Sequence, residues 1–199
     1  MKNAPYFTLI IVWIIFGLIH SLLTSGTVKR GMTKIMGNGI KYYRAICFLV
    51  VTITLVFLIH YHFEAINTIL WRPHWIEKIF AILFILSGFV VMVIFTWKYF
   101  LDLSGIGVIL GIERPVVLQE TGLHAYVRHP LYAGAIFFMW GAFLGYPYMN
   151  NLVSAICLTI YALIGIYFEE RKLVAEYGDQ YKQYQQKVPV LFPTKISIK

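Results

Sequence analysis

Residues 130–168, PLYAGAIFFMWGAFLGYPYMNNLVSAICLTIYALIGIYF, carry no charged side chain. Two apolar runs, 130–146 and 152–168, flank the short uncharged turn Tyr146-Pro147-Tyr148-Met149-Asn150-Asn151. Each run approaches the ~20 residues that cross a bilayer as a helix. A turn this short makes the two helices antiparallel neighbours. Gly141 and Gly145 form a small-xxx-small pattern that lets another helix backbone come close. The stretch therefore predicts a membrane-embedded helical hairpin.

Upstream lie three more apolar runs, at residues 6–23, 43–59 and 76–100. The fold class that follows is an all-α polytopic membrane protein: about five transmembrane helices, with a C-terminal helical hairpin and a cytoplasmic tail helix. The chain has 199 residues, of which 59% are hydrophobic and 13% charged. A soluble domain carries roughly 25% charged residues. One membrane domain over 1–199 is expected, with three N-terminal spans in 1–100 and a cofactor-binding catalytic half in 101–199. The first run lacks a small-residue cleavage pattern and is read as retained.

The net charge of +8 does not indicate nucleic acid, because the basic residues sit in short segments between apolar runs and suit anionic lipid heads. Counting Lys and Arg places the N-terminus outside and the C-terminus in the cytoplasm. Cys47 and Cys157 fall inside apolar runs and read as inert thiols. His60-Tyr61-His62 reads as an interfacial belt, since no third ligand lies near and no metal is expected. Gly105, Gly107 and Gly111 lack the preceding strand that a phosphate loop needs.

Residues 122–134, GLHAYVRHPLYAG, gather polar, aromatic and cationic groups at the mouth of the hairpin. Pro130 suits the first position of a helix because its missing N–H would be unpaired there anyway. It leaves Arg128 and His129 just outside and Tyr132 in the first turn, at a helix end that favours anions. Gly134 allows close approach of a backbone or a ligand. Glu169-Glu170 lies where the last run ends, and adjacent carboxylates at an apolar boundary need partners. The tail reads as one continuing helix to about Lys187, with Leu173, Tyr177, Tyr181, Tyr184 and Val188 on one stripe. Glu169 falls on the stripe side, pointing at the protein, and Glu170 lies about 100° round, where it could pair with Arg171 or a loop base. An anion-binding helix start opposite two carboxylates suits a zwitterion with extra positive charge. S-adenosylmethionine, an amino acid and a phospholipid head all have that character.

Residues 122–134 resemble the G-x-x-x-x-x-R-H-P-x-Y-x-G signature of isoprenylcysteine carboxyl methyltransferases and related membrane methyltransferases, including phospholipid N-methyltransferases. Glu169-Glu170, the segment YGDQYKQY at 177–184 and Val188-Pro189 match a second element of the same superfamily. The resemblance implies a cytoplasm-facing S-adenosylmethionine pocket. It assigns Val116, Val117, Leu118 and Gln119 to the adenosine side, and His129, Pro130, Leu131 and Tyr132 to the methionine moiety. Glu169 corresponds to a cofactor-contacting carboxylate supported by Glu170. His124, Tyr126 and Gly134 complete the expected cofactor-binding set. Arg128 is the candidate catalytic residue, orienting an anionic nucleophile or the cofactor carboxylate. Two positions depart from the pattern: His124 stands where the family often has Tyr, and Gly165 stands where eukaryotic isoprenylcysteine enzymes carry an Arg for the substrate carboxylate.

The expected function is therefore S-adenosylmethionine-dependent methyl transfer to a lipid or prenylated-cysteine-like substrate, by carboxyl O-methylation. Phospholipid N-methylation is the alternative, and a nicotinamide-dependent membrane reductase stands behind it. The expected partners are a lipophilic small-molecule or prenylated substrate and membrane lipid; no protein partner is called for.

Overall fold

A computed structural model describes residues 4–65, 67–112 and 117–193. Its long helices are α1 (Ala4–Thr24), α3 (Tyr43–Glu64), α4 (Trp75–Ser104), α6 (Pro130–Gly145) and α7 (Met149–Tyr177). Three short ones, α2 (Gly26–Met36), α5 (Ile106–Ile109) and α8 (Asp179–Lys187), lie between or after them. Among the described residues, four stretches are long and apolar enough to cross a membrane: those of α1, α2–α3, α4 and α7. Helix α6 is equally apolar but has 16 residues, about 24 Å at 1.5 Å per residue. The chain is an all-α, multi-pass membrane protein.

Local chemistry sets the helix ends. Ser25 caps α2 by accepting a hydrogen bond from the Thr27 N–H. His74 and Glu77 form a capping box at the start of α4, which satisfies N–H groups that the first turn leaves unpaired. Helix α4 stops at Gly105, whose φ of +73° is left-handed. A Cβ there would lie 2.5 Å from Arg44 Cβ, so glycine meets both the turn and the close approach to α3.

The most extensive helix contact is α4 against α6. Glycines create it. A Cβ on Gly88 would lie 2.5 Å from both Gly134 O and Phe138 N, and a Cβ on Gly141 would lie 2.8 Å from Ile85 N. The small residues of α6 thus face α4. The other side of α6 meets α7 and the tail through Ala133, Ile136, Ala162, Ile166 and Leu191.

Helix ends gather on two faces. On one, Asn150 Nδ2 donates to the carbonyls of His62 and Ala65, and His62 bonds to Ser154 and Asn151. His62 is therefore a strut between α3 and α7, and among the described residues no group of three metal-ligating side chains forms. On the opposite face, Tyr43 Oη donates to Leu23 O, Gly105 meets Arg44, and Arg128 pairs with Glu170. The basic segments around α2 and the start of α3 share this second face with the site.

The tail departs from the single continuing helix. Helix α7 ends at Tyr177, and Gly178 turns the chain at φ +56° into α8. A left-handed φ favours glycine. The turn folds α8 back beneath α7, where Tyr181, Tyr184 and Val188 pack with Leu118, Leu173 and Tyr177.

Candidate functional site

Pro130 is the first residue of α6, as its missing N–H favours. The backbone before it is tied to the tail: Arg128 N–H donates to Pro189 O at 2.9 Å and His129 N–H to Val190 O at 3.1 Å. Tyr184 Oη donates to His124 O at 2.6 Å. The tail thus straps the loop that precedes α6.

Glu170 is the centre of the cluster. Its Oε1 accepts from Arg128 Nε at 2.7 Å, meets His129 Nε2 at 3.1 Å and accepts from Tyr181 Oη at 3.2 Å. Its Oε2 accepts from Arg128 Nη2 at 3.2 Å and Gln185 Nε2 at 2.7 Å. Arg128 Nη1 also donates to the carbonyls of Gln185 and Val188. Glu170 turns into the protein and pairs with a loop base, as its position on the helix allows, and the bend at Gly178 also brings Tyr181 and Gln185 under it. Glu169 is the more exposed of the two. Arg128, with 8% of its side chain exposed, spends its donors within the chain.

Glu169 lies on the open side with 46% of its side chain exposed. Its Oε2 is 3.6 Å from His129 Nδ1, so the buried His129 stands between two carboxylates. Tyr132 completes this edge, its ring 5.9 Å from that of His129. A Cβ on Gly165 would come within 2.9 Å of Tyr132 Oη.

The electrostatics keep the strap neutral. Burial pushes the Tyr184 hydroxyl up to about 12, with Arg128 opposing. Burial and the Glu170 charge push Tyr181 well above the ordinary phenol range, again with Arg128 opposing. Both hydroxyls therefore remain donors. Burial lowers His124, helped by the charges of Lys98 and His129, against its contact with the Arg128 carbonyl.

The other expected positions divide. Leu118 packs on the tyrosine cluster, Gln119 and Leu131 are half-buried, Pro130 is buried, and Val117 and Tyr126 are exposed. Val116 lies outside the described residues. His124 braces the loop through its Nδ1 contact to Arg128 O at 3.1 Å. Gly134 is buried, and a Cβ there would meet the backbone of Gly88 in α4. Gln185 and Tyr181 belong to the cluster and were not among the expected site residues. The aromatic stripe marked Tyr181 as inward-facing, but nothing in the polar run of α8 distinguished Gln185. A groove of about 550 Å³ runs beside the cluster, apolar at Leu163 and Ile166 and polar at Glu170 and Gln185.

A profile of the family described as phospholipid methyltransferase matches residues 76–180. A methanethiol S-methyltransferase of Crocosphaera subtropica is 32% identical over 189 residues, covering 90% of this chain and 71% of that protein. One from Mycobacterium tuberculosis is 27% identical, covering 90% and 74%. A protein-S-isoprenylcysteine O-methyltransferase of Schizosaccharomyces pombe is 38% identical over 81 residues, covering 39% and 28%. No solved structure matches the chain.

An all-α membrane fold with these relatives defines a membrane methyltransferase, an enzyme that draws on a methyl donor. The chain belongs to the phospholipid methyltransferase family, within the superfamily that also holds the isoprenylcysteine enzymes.

Proposed function

We propose that this chain is an S-adenosylmethionine-dependent thiol S-methyltransferase acting on a small apolar thiol at the membrane. One observation carries the reading. Relatives named for methanethiol S-methylation align with about nine-tenths of the chain, whereas the isoprenylcysteine match stops at 39%. A second observation favours it over carboxyl O-methylation. Gly165 replaces the arginine expected for a substrate carboxylate, and Tyr132 Oη occupies the space beside it.

The site fits the cofactor on its charge. Glu169 is a half-exposed carboxylate at the edge of a closed cluster, a place for an ammonium or a sulfonium. Bound S-adenosylmethionine supplies a methyl group already activated by its sulfonium. Glu169 and the first-turn N–H groups of Leu131 and Tyr132 would hold its zwitterionic end. His129 holds Glu169 in register with Glu170. Arg128 and Glu170 fix the loop and the tail beside His129 and would keep that edge in place for the cofactor. Holding two reactants in line can contribute ~7–11 kcal/mol. Residues 101–199 supply these groups, on the face that the basic segments assign to the cytoplasm.

The test is labelled methyl transfer from S-adenosylmethionine to methanethiol, to a prenylated cysteine analogue and to an ethanolamine lipid, using purified protein in micelles. Dimethyl sulfide formation is the expected result. Label only in the prenylated analogue or in the lipid sinks the thiol reading in favour of O- or N-methylation.

A further inference from the structure

We infer that Tyr161 and His20 form a proton-accepting dyad that ionises the thiol; the inference rests on the thiol reading above. Tyr161, Gly165 and Glu169 are spaced by four on α7 and share one face, with about 6 Å between successive members. Tyr132 Oη lies over Gly165, between the other two, and is an electrostatic neighbour of both Glu169 and Tyr161. The face therefore runs from the exposed carboxylate to the Tyr161 hydroxyl, one turn deeper than Gly165.

Tyr161 Oη is hydrogen-bonded to His20 Nδ1 of α1, and the rings stand edge to face at 5.9 Å. Two features hold the pair in place. Gly17 lies one turn before His20, and a Cβ there would be 3.1 Å from the Tyr161 ring, so glycine gives the ring room to pack closely on α1. Phe16 packs on both rings, at 6.2 Å from His20 and 6.4 Å from Tyr161. Ser21 also faces the Tyr161 hydroxyl. An ionisable pair within a membrane helix bundle marks a functional site by default. This one lies on the face that carries Glu169, away from the Arg128–Glu170 clamp.

A thiol needs such a pair. Ordinary thiols have a pKa near ~8.5 or above, and the thiolate is the nucleophile. In the proposed step the S–H bond breaks and its proton passes to Tyr161 Oη. The Tyr161 proton moves to His20 Nδ1, leaving a thiolate beside a neutral phenol and an imidazolium. The sulfur electron pair then forms the new C–S bond as the sulfonium–methyl bond breaks, giving a thioether and S-adenosylhomocysteine. The proton leaves His20 for water, and one proton is released per methyl transferred. Tyr161 is the catalytic residue of the pair, and His20 acts through it as a positioning residue and proton store.

The test uses full-length wild type, Tyr161→Phe and His20→Gln in micelles. Calorimetry with S-adenosylhomocysteine checks that each variant keeps its cofactor affinity within about twofold. Turnover is then compared for ethanethiol and for an electron-poor aryl thiol that is already ionised. General-base catalysis is worth ~10²–10⁴-fold, so both variants should lose at least about 100-fold in kcat on ethanethiol and stay near wild type on the aryl thiolate. A second readout is the pH profile. On ethanethiol both variants should gain about tenfold per pH unit as solvent ionises the thiol, while the wild type should rise less steeply. Equal losses on the two thiols, no loss on ethanethiol, or the same pH slope for wild type and variants each overturn the dyad. If wild type methylates no thiol and labels a lipid instead, the thiol reading itself fails.

Discussion

Arg128 and Glu170, 42 residues apart, meet through two parallel contacts, Nε to Oε1 at 2.7 Å and Nη2 to Oε2 at 3.2 Å. The pair joins the loop before α6 to the end of α7, and Gln185 ties α8 to the same carboxylate. With 8% and 17% of the side chains exposed, the pair is shielded. Removing one partner strands the other, which costs ~3–5 kcal/mol in buried pairs. Arg128→Ala and Glu170→Ala should therefore each lower the melting temperature in micelles strongly, and Arg128→Lys should rescue little because one ammonium cannot make the fork. The double variant should be less unstable than the sum of the singles. Strict additivity would show that the two residues do not stabilise each other.

Glu169 makes a different prediction from its neighbour. It is half-exposed and contributes little to closing the fold, so Glu169→Ala should leave the melting temperature nearly unchanged. It should weaken S-adenosylhomocysteine binding by ~1.5–3 kcal/mol, the worth of a charge-assisted hydrogen bond. Glu176→Ala, on an exposed position of α7, is the control and should stay within about twofold. Equal affinities for the two variants would remove Glu169 from the site.

Much of this arrangement was legible in the sequence, for identifiable reasons. Pro130 announced the start of α6 because no other residue lacks the N–H that a first turn leaves unpaired. The uncharged turn announced the α6–α7 hairpin. A loop base for Glu170 was legible, but its contacts with Tyr181 and Gln185 were not, because they depend on the break at Gly178. The tyrosine stripe keeps its helical spacing straight through that break, so periodicity reads one helix where there are two. The partner of the α6 glycines was hidden as well. Small residues tell that a backbone comes close, and only the assembled bundle tells that it is α4 rather than α7.

That α4 contact gives a sharp stability comparison. Gly88→Ala would drive a Cβ to 2.5 Å from backbone atoms of Gly134 and Phe138, and backbone cannot step aside cheaply. Overpacking of this kind costs ~1–3 kcal/mol or more. Gly31, within α2, has nothing within 4 Å of an added Cβ; there alanine should stabilise by ~0.4–1 kcal/mol through reduced chain entropy. Thermal unfolding of the two variants should move in opposite directions. A shift in the same direction for both would show that α4 and α6 pack differently.

His124 predicts a pH dependence of the strap. Burial holds it below its ordinary value of 6.5, with Lys98 and His129 adding to the shift and the Arg128 carbonyl opposing it. The folded state thus binds its proton less readily than the unfolded chain. Its contribution is fully present above about pH 6.5 and is lost as pH falls through the lowered folded value. Between pH 7.5 and 5 the wild type should lose more stability than His124→Phe, read as melting temperature in micelles. Parallel curves would mean that His124 does not titrate in this range.

Gly165 and Tyr132 form the contact that sets this chain apart from enzymes with arginine at that position. A Cβ at 165 would sit 2.9 Å from Tyr132 Oη, the mobile end of a side chain, so Gly165→Ala should fold and push the hydroxyl aside. Displacing a side chain by ~30° costs about 0.5–1.5 kcal/mol, a modest loss of stability. Turnover should suffer more, because the hydroxyl stands between Glu169 and Tyr161. Gly165→Ala and Tyr132→Phe should each slow methyl transfer to a thiol by about tenfold. The double variant should be no slower than either single, since both remove one hydroxyl from one place; coupled neighbours deviate from additivity by ~0.5–3 kcal/mol. Additive losses near 100-fold would mean that Gly165 acts on the site by a route other than Tyr132.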